Sequence, residues 1–166
     1  LVVFGKIYNL CLLVAFIFFV TLAIFPGISV TIQTHYPGTF MEEWLSIFMV
    51  VLFNLGDFAG RTAPRFIVLF NEKWIGFPII SRVIFLPLFI LCIYPRVITF
   101  DFFPMIFMFL MALTNGYLCS NIMMLAPGVV KPYEREIAST MMTFFLLLGI
   151  CLGSNCGLLI GKVVGL

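Results

Sequence analysis

The sequence predicts an all-α membrane protein built as a five-helix transmembrane bundle, and three observations carry that reading. The 166 residues are 63% hydrophobic and only 10% charged, with a mean hydropathy of +1.23. Soluble domains are nearer half apolar and a quarter charged. The apolar residues fall into five runs, each long enough for the roughly 20 residues that a crossing helix requires. Runs of this length do not show the period-two alternation of a transmembrane barrel.

The elements follow in order. The first span covers residues 7–31 and contains "CLLVAFIFFVTLAIF"; the polar stretch "QTHYPGTFMEE" separates it from the second, residues 44–70. "NEK" leads to the third span at 75–94, and "PRVITFD" to the fourth at 102–126. "PGVVKPYERE" opens the fifth, at 132–164, with Pro132 at the helix start and Glu134 and Glu136 in the first turn. Both features favour a helix N-terminus. With no long linker or low-complexity tract, the whole chain reads as one transmembrane bundle.

Basic residues give the orientation. Because helices alternate in direction, Lys6, Arg65, Lys73, Arg82, Lys131 and Arg135 fall at one set of ends, and Arg96 and Lys162 at the other. Six against two places the first set in the cytoplasm and the C-terminus outside. The net charge of +2, with no basic run, gives no reason to expect a nucleic-acid partner. Cys11, Cys92, Cys119, Cys151 and Cys156 all lie in apolar stretches without CxxC spacing, and the single His35 lies in a polar connection. These are packing thiols, and no metal site, cofactor or catalytic residue is expected. A membrane-embedded enzyme would need a nucleophile with its base, or a metal cluster, inside the spans.

The second span contains "FNLGDFAGRTAP", with Asp57 and Arg61 four residues apart. At about 100° per residue, Val50, Asn54, Asp57, Arg61 and Pro64 share one face within about 80°. A charge at the bilayer centre costs roughly 2.5–3.5 kcal/mol on insertion scales, so this face must meet protein or a wet cavity. Two readings of the pair are open. It neutralises itself and locks the bundle, or it also binds a polar solute, since a guanidinium fork and a carboxylate together suit vicinal hydroxyls. Asn54 adds an amide one turn earlier.

In the fourth span, "TNGYLCSN" places Thr114, Tyr117 and Asn121 on one stripe, either for interhelical hydrogen bonds or as lining of the same cavity together with Val50. In the fifth, Gly149, Gly153, Gly157, Gly161 and Gly165 recur every four residues, a ladder for close helix packing. The chain begins without Met, and five helices form a small, odd bundle, so one half of a two-part transporter is expected.

At these residues the chain resembles the equilibrative nucleoside transporter family. "FNLGDFAGRTAP" is similar to that family's FNxxDxxGR signature in its eighth helix, while "TNGYLCSN", "VVKPYERE" and the glycine-rich last span look like its tenth and eleventh. Phe25-Pro26 looks like part of the seventh. The likeness covers essentially the whole chain in order. Thr62 stands where many members have Ser, and Pro64 is not general. The resemblance implies a major-facilitator-like fold of eleven helices, this chain being the C-terminal five and an N-terminal six-helix half being absent. It implies facilitated nucleoside transport by alternating access, with Asp57 and Arg61 meeting the ribose hydroxyls and the signature Asn falling on Asn54; the expected location is the plasma membrane. The alternatives within the same fold are nucleobase, organic-cation or proton-coupled transport, or a non-transporting scaffold in which Asp57–Arg61 is a structural ion pair.

Overall fold

A computed structural model describes residues 2–29, 32, 34, 38, 40–93 and 100–164. The described residues are helical throughout their long elements: α1 Val2–Ile24, α2 Phe40–Thr62, α3 Gly76–Ser81, α4 Phe85–Ile93, α5 Phe102–Val129 and α6 Arg135–Val164. Short 3-10 turns extend α2 through Ala63–Arg65, join α3 to α4 through Arg82–Ile84, and open α6 at Pro132–Glu134. Five of the resulting helical stretches are long and apolar enough to cross a membrane. The all-α membrane bundle is therefore observed.

Several expected boundaries move, each for a local reason. The first helix stops at Ile24 instead of residue 31, because Pro26 follows and offers no N–H; the Phe25–Pro26 peptide is cis. The second begins at Phe40, four residues earlier than expected, with Glu42 and Glu43 in its first turn where the helix dipole favours them. Glu42 also accepts the N–H of Gly38 at 2.6 Å, and Gly38 holds a φ of 79° that suits glycine. The same helix ends at Thr62, not residue 70: Pro64 has no N–H for the Gly60 carbonyl, and the chain tightens into the 3-10 turn Ala63–Arg65. Residues 66–70 leave the helix altogether. In the third span Pro87 cannot bond the Val83 carbonyl, and the chain tightens to a 3-10 turn at Arg82–Ile84. The fourth helix runs past the expected residue 126 and carries Pro127 within it. His35, Arg96 and Gly165 lie outside the described residues.

Two helix pairs are packed backbone to backbone. In the α1/α6 pair, a Cβ at Gly149 would come within 2.2 Å of the Ala15 carbonyl oxygen, at Gly153 within 2.6 Å of Phe19 O, and at Gly157 within 2.9 Å of Ala23 O. Those three glycines are contact points. Gly161 is not, because nothing lies within 4 Å of its would-be Cβ: the next partner would fall beyond Ile24, where α1 has ended. The α2/α5 pair is as close, through Gly56, Gly60 and Gly116. Within each pair the contact positions rise together, so spans one and five run parallel, as do two and four.

Helices α1 and α5 form the centre. One apolar cluster joins the first half of α1 to α3, the second half of α5 and α6, including Ile7, Val14, Ile79, Ile122 and Met142. The other joins the end of α1 to α2, α4 and the first half of α5, including Ile24, Met49, Phe89 and Met111. Arg82 corrects an expectation. It is not an edge cation but the seventh residue of the Gly76–Ile93 span, only 2% exposed, with its guanidinium turned between α1 and α5.

Candidate functional site

The site grows from the α2/α5 crossing. A Cβ on Gly116 would stand 2.1 Å from the Asp57 carbonyl oxygen and 2.7 Å from the Arg61 nitrogen, so glycine there lets α5 touch the backbone that carries both charges. Gly60 acts in the reverse direction, 2.1 Å from Leu113 O by the same measure. With the backbones this near, short side chains reach across.

Arg61 donates from Nε to Asp57 Oδ2 at 2.6 Å, the expected i,i+4 pair. Asn115 of α5 donates from Nδ2 to Asp57 Oδ1 at 2.7 Å. Each carboxylate oxygen thus takes one fixed donor and keeps a further acceptor position. The Asp57 side chain is 17% exposed and that of Arg61 44%, on a face that the described residues leave partly open. Arg61 also extends Nη1 to 3.9 Å from Cys119 Sγ. The arrangement can accept from and donate to neighbouring oxygens of one polar solute, which is what a pair of vicinal hydroxyls requires.

Of the other residues expected here, the structure gathers only some. Asn54 is exposed and donates to the Val50 carbonyl of its own helix at 2.8 Å. Val50 is half-buried. Thr114 and Tyr117 line a cavity of about 590 Å³ together with Gly60, Ala63, Arg82 and apolar neighbours, and neither Asp57 nor Arg61 is among its lining. Thr114 bonds back to the Leu110 and Met111 carbonyls at 2.9 and 3.0 Å. Tyr117 accepts the Leu69 N–H at 2.7 Å and donates to the Ile67 carbonyl at 3.2 Å, while Asn121 donates to Phe70 O at 3.4 Å. These two side chains satisfy the backbone that Pro64 has unwound. That matters in a membrane, where non-helical backbone needs protein partners.

Three residues of the site were not expected: Asn115, Thr21 and Arg82. Thr21 stands 2.8 Å from Asn115 Oδ1, and Arg82 donates from Nη2 to Thr21 Oγ1 at 2.7 Å. Asn115 carried a signal, being a polar amide beside a glycine inside an apolar helix, but it lies about 100° from the Thr114 stripe. Thr21 carried none, as a lone Thr in a span ordinarily bonds its own helix.

An all-helical, multi-pass membrane protein with a charged, partly open site inside an apolar frame is the class these features define. The chain belongs to the nucleoside transporter family: the family model described as "Nucleoside transporter" matches residues 1–161. Equilibrative nucleoside transporter 2 of Rattus norvegicus is 37% identical over 168 residues, which cover 95% of this chain and 37% of that protein. Equilibrative nucleoside transporter 4 of Homo sapiens is 38% identical over 148 residues, 85% of this chain and 26% of the relative. Equilibrative nucleoside transporter 1 of Homo sapiens is 33% identical over 161 residues, 91% and 35%. The chain thus spans about a third of the length of these relatives, which bear the names of transporters and not of enzymes.

Proposed function

We propose that this chain supplies the C-terminal five-helix half of a facilitated nucleoside transporter, driven by the substrate's own gradient, with Asp57 and Arg61 meeting the ribose hydroxyls. The observation that carries the reading is the Asp57–Arg61 pair itself, fixed at 2.6 Å yet 44% open at the arginine, in a chain of this family. The open face would meet an N-terminal half, and the two halves would rock around the substrate in alternating access. With Arg82 removed from the count, Lys6, Arg65, Lys73, Lys131 and Arg135 still outnumber Arg96 and Lys162. The cytoplasm therefore lies on the side of the first group and the C-terminus outside.

A second reading is favoured by the Asn115–Asp57 bond, which ties α5 to α2 whether or not a solute binds. One experiment separates them: uptake by full-length transporter containing this chain, with Arg61→Ala, for ribonucleosides and for their 2′- and 3′-deoxy analogues. A hydrogen bond to a charged group is worth about 1.5–3 kcal/mol, so ribonucleosides should lose roughly ten- to hundred-fold in KM and deoxy analogues clearly less. Arg61→Lys should not rescue, since Lys lacks the fork. Equal losses for every substrate, with little protein at the surface, would mean that the pair only locks the bundle.

A further inference from the structure

Arg82 is the least expected charge in the molecule. It is 2% exposed, seven residues into a membrane span, and carries no salt-bridge partner within 4 Å among the described residues. Among the described residues only Nη2 makes hydrogen bonds, to Thr21 Oγ1 at 2.7 Å and to the Met111 carbonyl at 3.4 Å, and the buried Nε and Nη1 have no partner there. Burying such a group for packing alone would be costly, as an apolar side chain would fill the space at no desolvation penalty.

The direction of each bond is set by chemistry. A guanidinium only donates, so Thr21 Oγ1 accepts from Arg82. An ionised carboxylate only accepts, so Asn115 turns Nδ2 to Asp57 and is left with Oδ1 facing Thr21. The single Thr21 proton has two acceptors at 2.8 Å, Asn115 Oδ1 and the Ile17 carbonyl. A donor bound to the hydroxyl oxygen polarises it and strengthens what it donates. The geometry points to Arg82 as a positioning residue of the substrate site, orienting the Asp57 carboxylate through Thr21 and Asn115. This rests on the reading of Asp57 and Arg61 as the ribose-binding pair. The relay joins the third span, α1, α5 and α2, so all four must be in register for Asp57 to be held by donors on both oxygens. Arg82 works through one nitrogen, whereas the fork of Arg61 is what its own task needs.

The test is uptake of labelled uridine by full-length transporter containing this chain, with KM, Vmax and surface amount measured for Arg82→Met, Arg82→Lys, Thr21→Val and the double variant Thr21→Val/Arg82→Met. Arg82→Met should raise KM by roughly ten-fold with Vmax per surface molecule unchanged, the scale of one hydrogen bond to a charged group. Arg82→Lys, one bond shorter but still a single-nitrogen donor, should recover much of that loss. Thr21→Val should raise KM similarly and also lower the surface amount, because it leaves the buried guanidinium short of an acceptor. The double variant should recover the surface amount, since both partners are then apolar, while its KM stays no higher than that of the worse single variant. Additive KM effects, or Lys no better than Met, would overturn the relay; so would a lowered surface amount with unchanged KM. If Arg61→Ala in the same cells affected all substrates equally, the ribose reading would fall, and the relay would still be decided by the coupling of Thr21 with Arg82.

Discussion

Gly116→Ala adds one methyl at the contact that brings α5 against the charged turn of α2. Its Cβ would lie 2.1 Å from the Asp57 carbonyl oxygen, where ordinary contact begins at 3.4 Å. The neighbouring atoms are backbone and cannot rotate away, so the two helices must part by about 1.3 Å there. Asp57 and Arg61 sit on the same helix and move together, leaving their pair intact. The Asn115–Asp57 bond spans the gap, and from 2.7 Å it would stretch toward about 4 Å, beyond hydrogen-bonding range. Overpacking costs about 1–3 kcal/mol in stability. The lost bond to a carboxylate is worth about 1.5–3 kcal/mol, of which the lower figure alone is a ten-fold rise in KM. The control is Gly161→Ala, with nothing within 4 Å of the new methyl and the ordinary helix preference of Ala over Gly, about 0.8–1.0 kcal/mol, in its favour. Surface biotinylation and uridine uptake in full-length transporter give both readouts. If Gly116→Ala matches Gly161→Ala in surface amount and KM, the close crossing does not hold the site and the reasoning is wrong.

Tyr117→Phe keeps the ring but removes the hydroxyl that serves Leu69 N–H and Ile67 O. About 1–3 kcal/mol of stability should be lost as a lower thermal midpoint, and an unchanged midpoint would show that water already serves this backbone. Topology is checked with tags: one after Leu166 should be reached by antibody on intact cells, one between Asn71 and Lys73 only after permeabilisation. Both tags on the same side would refute five crossings.

Hydropathy made the spans legible because a membrane helix is specified by composition over some 20 residues, and neighbours cannot alter that. Helix ends were less legible. Pro64 was visible, yet whether a proline in a span only kinks a helix or ends it depends on what receives the freed backbone groups. Here Tyr117 and Asn121 receive them from another helix. Asp57–Arg61 was readable for the opposite reason, since an i,i+4 pair is decided within one helix. The Arg82–Thr21–Asn115 relay joins residues 61 and 94 positions apart, and no local pattern encodes it. Arg82 lies near the start of a span, where a long cation ordinarily snorkels to the surface, and here acceptors on α1 and α5 take its inward-turned guanidinium.

The glycines and the charges are one device. Asp and Asn are short side chains, and helices packed at the usual 8–10 Å through large residues would keep them from meeting. Gly56 and Gly60 on α2 bracket Asp57, and Gly116 on α5 adjoins Asn115, so the closest backbone approach falls at the polar contact. In lipid, apolar side chains gain little from burial against each other, and close van der Waals contact is what holds helices together. Glycine supplies that contact and at the same time shortens the distance over which the carboxylate must be reached. A charged site inside the bilayer thereby acquires its donors from a neighbouring helix without long, mobile side chains.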